Sequence, residues 1–391
     1  MFKPLRYGMV GGGPGAFIGE VHRRAAQLDG LAVLTAGALS SNAEKSQNFG
    51  ATLGLDPDRV YGSYAEMAER EAALPADERI DFVSVVTPNH LHHPVAKAFI
   101  ERGFHVVCDK PMTTTLEDAE DLCRLVAQHD VIFALTHNYA GYPLVKHARA
   151  LVADGALGTV RKVVAEYAQG WLATPLEQGD EGGSKQASWR TNPALAGAGA
   201  LGDIGSHAEH LARYVTGLEI EALCADVTSF VEGRRVDDDA TLLLRFEGGA
   251  KGLLHATQIA VGEENRLTLR IYGSEASIEW HQETPTRLLF RTVGGDERVY
   301  RQSAGDLGPA AQHATRLPPG HPEAFFEAFG NIYANACRLM LARRDGTDPD
   351  PLDLDITTVQ DGARGVHFIE TALASGRAEG WVDATYTPPD A

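Results

Sequence analysis

Residues 5–10 read as a short buried strand that leads straight into Gly11-Gly12-Gly13-Pro14-Gly15-Ala16-Phe17-Ile18-Gly19, and a helical stretch, residues 20–28, follows. Strand, glycine-rich turn and helix in that order constrain the fold more than any other feature of this chain. Glycines in this setting permit a tight turn and let a pyrophosphate approach backbone N–H groups at the helix start. Gly11, Gly13, Pro14, Gly15, Ala16, Phe17 and Ile18 are therefore candidate cofactor-holding residues. With other flanks the same residues would read as an ordinary glycine-rich loop.

The alternation continues. A second strand, residues 32–39, ends in Ser40-Ser41-Asn42. Folds that bind NAD usually place an acid here, on the ribose hydroxyls; this chain offers Ser40 and Ser41, with Lys45 as the nearest cation. NAD is the expected cofactor, and nothing here repels the extra phosphate of NADP. Helices are expected at 43–53 and 63–73. The β-branched run 82–86 suits a strand buried on both faces of a parallel sheet. It leads into Thr87-Pro88-Asn89-His90, at the carboxyl end of a strand, where open sheets bind their ligands. A helix at 93–102, a strand at 105–108 ending in Asp109-Lys110-Pro111, a helix at 116–128 and a strand at 131–136 complete a doubly wound Rossmann domain over residues 1–138. Lys110 reads either as a solvated turn residue or as a fixed ammonium that stabilises alkoxide-like charge while hydride leaves.

From residue 139 the pattern changes. Strands are expected at 159–169, 222–231, 239–246, 252–258, 266–272 and 276–281, at hairpin-like spacings. They form an open, mostly antiparallel sheet in a second α/β domain, residues 139–391. Helices at 204–216, 321–343 and 358–375 cover one face, and His321 opens the second of these. The other face would be a large apolar patch in a single chain, so a homo-oligomer, dimer or tetramer, is expected through the sheet. A polar stretch from residue 171 to 183 joins the halves. Trp171 at its start is a candidate substrate contact, and Trp189-Arg190 reads either as a core plug or as a flat face with a donor fork for a sugar.

Gly202-Asp203-Ile204-Gly205-Ser206-His207 carries the remaining chemistry. On a regular helix Asp203 and His207 stand one above the other, an acid beside an imidazole that titrates near neutrality. The bland alternative is a cap or a solvated face. The formal net charge is −18 and no run of Lys or Arg forms a basic stripe, which argues against nucleic acid and anionic membranes. No apolar run approaches the roughly 18 residues of a membrane helix. Four scattered cysteines and no signal-peptide pattern suit the cytoplasm. His90, His92 and His93 lack the framework of a zinc site, so no metal is expected.

Together the glycine-rich turn, Thr87-Pro88-Asn89-His90, Asp109-Lys110-Pro111 and Gly202 to His207 resemble the glucose–fructose oxidoreductase / inositol dehydrogenase (Gfo/Idh/MocA) family from about residue 5 to the C-terminus. The resemblance implies bound NAD(H) or NADP(H) and oxidation of a secondary hydroxyl on a sugar or polyol, an inositol first. It places the family's catalytic set on Lys110, Asp203 and His207, with further substrate contacts at Arg190 and His321. His207 removes the hydroxyl proton, Asp203 orients substrate and imidazole, and Lys110 stabilises the oxyanion. Alternatives are a glycoside or aldose dehydrogenase, a lyase or epimerase working by transient oxidation, and a non-enzymatic sugar or NAD sensor. Two departures stand out: Asp109 replaces the usual Glu, and in the usual GxGxxGxxH spacing Gly19 and His22 arrive three residues late.

Overall fold

The computed structural model describes residues 3–178 and 185–390, so the polar stretch between 171 and 183 is described only as far as residue 178. Five strands, β1 (Leu5–Gly11), β2 (Ala32–Ala38), β3 (Phe82–Val86), β4 (His105–Cys108) and β5 (Phe133–Leu135), form a parallel sheet in the order β2-β1-β3-β4-β5. Period-two alternation sends neighbouring side chains to opposite faces. Val10, Val83, Val85 and Val106 enter one core, with Val95, Phe99 and Leu122 from the helices His92–Ile100 and Leu116–His129. Met9, Phe82, Val86 and Val107 enter the other, with Val21 and Ala25 from the helix Phe17–Gln27. Every residue of β3 is buried, and each large apolar side chain so placed contributes about 1.5–3 kcal/mol. Asn42, Ser63 and Thr115 cap three of the helices that return the chain.

The second sheet has nine strands: β6 (Val160–Ala168), β7 (Ile220–Thr228), β8 (Asp239–Phe246), β9 (Lys251–Thr257), β10 (Arg266–Gly273), β11 (Ala276–His281), β12 (Arg287–Thr292), β13 (Glu297–Arg301) and β14 (Val382–Asp383). Their order is β13-β12-β11-β10-β6-β9-β8-β7-β14, antiparallel except where β6 meets β9. The last three strands escape the sequence pattern because they are short and, in β12 and β13, rich in arginine.

Three expectations are corrected. The helix expected from residue 321 begins four residues later, at Phe325, so His321 precedes it. That helix, Phe325–Asp345, does not chiefly cover the second sheet. Its Phe329, Tyr333, Cys337 and Met340, at helical spacing, join the core of the first sheet beside Leu5, Tyr7 and Phe82. The helix Val359–Ala378 serves both sheets: Val359, Ala363 and Val366 enter the first sheet's other core, while Phe368, Ile369 and Ala372 join the core of the second sheet as expected. Finally, the open face is not an apolar patch. It mixes exposed Leu243 and Tyr272 with the pairs Arg270–Glu166, Arg291–Glu279 and His255–Asp239. Among the described residues no helix is long and apolar enough to cross a membrane.

Candidate active site

A cleft of about 1240 Å³ lies along the carboxyl ends of the parallel strands and reaches into the second sheet. A single small-molecule pocket occupies about 300–1,000 Å³, so there is room for a dinucleotide and a second small molecule. Gly11, Gly12, Gly13, Pro14, Ala16, Phe17 and Ile18 line one end, with Ser40, Ser41, Thr87, Pro88 and Asn89. The glycine turn packs tightly on the strand ends behind it. A Cβ on Gly11 would sit 2.6 Å from the Val86 carbonyl oxygen, and one on Gly13 would sit 2.1 Å from that of Leu39. Gly19 lies so close to Gly12 that its Cβ would stand 2.3 Å from the Gly12 Cα, which presses the helix start onto the turn. No carboxylate lines the cleft near Ser40 and Ser41; its acids are Asp109 and Asp203.

Lys110 is set by the turn after β4. The Asp109 N–H donates to the Val85 carbonyl oxygen at 2.9 Å, and the Asp109 carboxylate accepts from the Lys110 N–H at 2.9 Å and the Thr136 hydroxyl at 3.0 Å. The shorter acid thus suffices to lock the turn. Burial opposes its charge, but His22 and Lys110 outweigh burial and hold its pKa well below the carboxylate range. His92 lies between the two ligand-facing turns, with Nδ1 2.8 Å from the Pro111 carbonyl oxygen and Nε2 2.9 Å from that of Thr87.

Asp203 and His207 come from the second half. Asp237 accepts from the backbone N–H groups of Gly199 (2.7 Å) and Leu201 (2.6 Å), fixing the start of the segment. Residues Leu201–Gly205 then form a π-helical turn before the regular helix Ser206–Thr216. The wider turn offsets Asp203 from the residue four places on, and no hydrogen bond joins Asp203 to His207. Asp203 instead accepts from Lys110 Nζ at 3.0 Å and Gln258 Nε2 at 2.9 Å, and lies 3.5 Å from Arg190 Nε. Lys110 Nζ also reaches the Asp203 carbonyl oxygen. Burial raises the Asp203 pKa, and Lys110, Arg190 and Gln258 more than reverse this, keeping it ionised well below the usual range.

His207 is 6% exposed and lines the cleft, with Nδ1 buried and unpartnered among the described residues. Its ring stands edge-on to Tyr139 (4.8 Å) and His137 (5.2 Å), and His137 stacks on His210 at 4.1 Å. Burial, then Lys110, pushes the His207 pKa well below 6.5, so the imidazole is neutral at neutral pH. A neutral imidazole beside an ammonium is equipped to take a proton from a hydroxyl.

Trp171 and Arg190 also line the cleft, as does Trp189, whose ring lies 4.2 Å from the Arg190 guanidinium carbon. Four candidates lie elsewhere. His321 is exposed, its Nδ1 3.3 Å from the Pro318 carbonyl oxygen, because the helix starts beyond it. Lys45 is exposed on the first turn of the helix Ala43–Thr52, Gly15 faces outward from its turn, and His90 buries an unpartnered Nδ1 off the cleft wall. Sequence reasoning missed the far wall: Tyr139, Tyr167, Gln169, Asn265 and Gln282. Tyr167 donates to Asn265 Oδ1 at 2.6 Å, and Gln169 Nε2 donates to the same oxygen at 2.8 Å. Tyr139 was within reach of the rule that ligands sit beyond strand ends; the others carry no local signal. Among the described residues no group of three or more metal-binding side chains converges.

Residues 5–137 match the model of an oxidoreductase family with an NAD-binding Rossmann fold, and residues 145–279 match the GFO/IDH/MocA C-terminal domain. An oxidoreductase from Sinorhizobium meliloti is 44% identical, covering 97% of this chain and 100% of its own, with a TM-score of 0.87. An inositol dehydrogenase homolog from Azotobacter vinelandii, solved with NADH and myo-inositol, is 36% identical over 97% of this chain and 98% of its own, with a TM-score of 0.90. The levoglucosan dehydrogenase of Pseudarthrobacter phenanthrenivorans is 29% identical over 81% of this chain and 83% of its own. The glycine cradle, the mixed pair of sheets and these likenesses agree: the chain belongs to the Gfo/Idh/MocA family and is an NAD-dependent oxidoreductase.

Proposed function

We propose that the protein oxidises a secondary hydroxyl of a cyclic polyol, an inositol before other rings. One observation carries this reading: Lys110 from the first half and Asp203 from the second meet at 3.0 Å in the cleft that His207 also lines. The bound nicotinamide supplies the hydride acceptor. Lys110 spends two of its N–H groups on Asp203, which leaves the third to stabilise charge on the reacting oxygen. His207, acting from Nε2, accepts the hydroxyl proton, a service worth about 10²–10⁴-fold. Asp203, tied to Lys110, aims the ammonium rather than the imidazole. The amide and phenol groups of the far wall are suited to a ring bearing many hydroxyls, and the likeness to the Azotobacter protein supports an inositol.

Two tryptophans on the wall, Trp171 and Trp189, favour a second reading, a pyranose or anhydrosugar dehydrogenase, which the likeness to levoglucosan dehydrogenase also supports. A panel of inositols, aldoses, glycosides and anhydrosugars, assayed at 340 nm with NAD and NADP, separates the two. Fastest NADH formation with an inositol is expected. No absorbance change with any alcohol would refute net dehydrogenation and leave transient oxidation or sensing. We also assign the open sheet face, with its ion pairs, as a subunit interface; light scattering that returns a single chain's mass would refute that.

A further inference from the structure

We propose that the turn inserted before Phe17, together with the ring pair Phe17–Phe325, clasps the bound dinucleotide and slows its release. The inference is independent of which alcohol is oxidised. The three extra residues form a compact unit. The Ala16 N–H donates to the Gly13 carbonyl oxygen at 3.1 Å, Pro14 takes the second position, and Gly15 takes the third with φ +73°. That is the pattern of a type II turn, which needs positive φ at its third residue. The frame around it is undisturbed, because Gly19 still packs on Gly12 as the close helix–strand contact requires. The insertion therefore adds a knob without moving the cradle. Pro14 and Ala16 face the cleft.

Phe17 follows, and 67% of it is exposed, unusual for phenylalanine in a folded chain. Its ring stacks on Phe325 with centroids 6.4 Å apart and planes inclined by 26°. Phe325 meets Phe329 edge-on at 5.2 Å, and all three rings line the cleft. Residues from opposite ends of the chain thus form one apolar wall beside the glycine backbone that would hold the pyrophosphate. Next to Phe325, the Phe326 ring lies 5.5 Å from the guanidinium carbon of Arg24, which pairs with Glu20. A dinucleotide on the cradle covers the open face of Phe17, and dissociation must return that face to water. Interactions gained only in the bound state act mainly on the off-rate.

The test is release of NADH from the full-length protein, followed by stopped-flow fluorescence during a chase with excess NAD. Phe17→Ala is expected to speed release about tenfold, the scale of uncovering roughly half a phenylalanine side chain. Association should stay unchanged, and the melting temperature without cofactor should fall only by what the Phe17–Phe325 contact contributes; a merely structural role would lower it without speeding release. Phe17→Trp should restore slow release. Deleting residues 14–16, which restores the shorter spacing, should also speed release; if that variant does not fold, Phe17→Ala decides alone. Release from Phe17→Ala within about twofold of the unmodified protein would overturn the clasp.

Discussion

Replacing Lys110 by Met keeps the aliphatic stem and deletes the ammonium. Asp203 would lose its 3.0 Å partner but keep Gln258 at 2.9 Å and Arg190 at 3.5 Å, so the carboxylate stays compensated. The loss of stability is then about 1–3 kcal/mol, the range for an incompletely satisfied buried polar group. The reacting oxygen would lose the ammonium assigned to it. Removing a single pre-placed donor of this kind costs about 10²–10³ in kcat, or about 2.7–4 kcal/mol. A second consequence follows from His207, whose pKa is held down by burial first and by Lys110 next. Without Lys110 that pKa rises, and because the base works only when neutral, the acid limb of the pH–rate profile moves to higher pH. Turnover measured at 340 nm against pH, with NADH affinity measured separately by fluorescence, reads both effects. A kcat for Lys110→Met within about tenfold of the unmodified protein, or an acid limb displaced downward, would refute the assigned role of the ammonium.

His207→Ala should lower turnover at least about tenfold while leaving NADH affinity nearly unchanged; full turnover in single-turnover assays would remove the imidazole from the reaction. His210, buried against His137, is pushed down to about 3 by burial and Arg213. The unfolded chain takes up a proton at this residue below about pH 6.5 and the native one does not, so acid costs stability at up to about 1.4 kcal/mol per pH unit. His210→Phe should flatten urea-unfolding stability between about pH 6.5 and 5 relative to the unmodified protein; parallel losses in the two proteins would contradict a neutral buried ring. Ser40 lines the cleft where no carboxylate does, so Ser40→Asp should cut kcat/KM with NADP about tenfold or more, equivalent to about 1.4 kcal/mol, and spare NAD. An unchanged ratio would place the ribose elsewhere.

Much was legible in local pattern. The strand-like run at 5–10, the β-branched run at 82–86, glycines after the first strand and polar caps before helices reflect backbone preferences and period-two burial, which depend on neighbours in sequence. Hence the parallel sheet, the turns that line the cleft, and Lys110 at the end of β4 were within reach of reading alone. Strands β12 and β13 were not, because Arg287, Arg291, Glu297 and Arg301 suit a strand only once a neighbouring strand pairs with it.

The sequence by itself determined that this chain builds a dinucleotide cradle, and it pointed to Lys110, Asp203 and His207 as the ammonium, acid and imidazole of the candidate site. Tertiary structure alone decided how they are paired. A π-helical turn at Leu201–Gly205 sends Asp203 to Lys110, 93 positions away, instead of to His207 four positions on. The same long-range packing leaves His321 outside, draws the helix Phe325–Asp345 against the first sheet, and completes the far wall from Tyr167, Asn265 and Gln282. Such contacts join residues distant in the chain, and their register follows from how whole elements pack rather than from any local spacing.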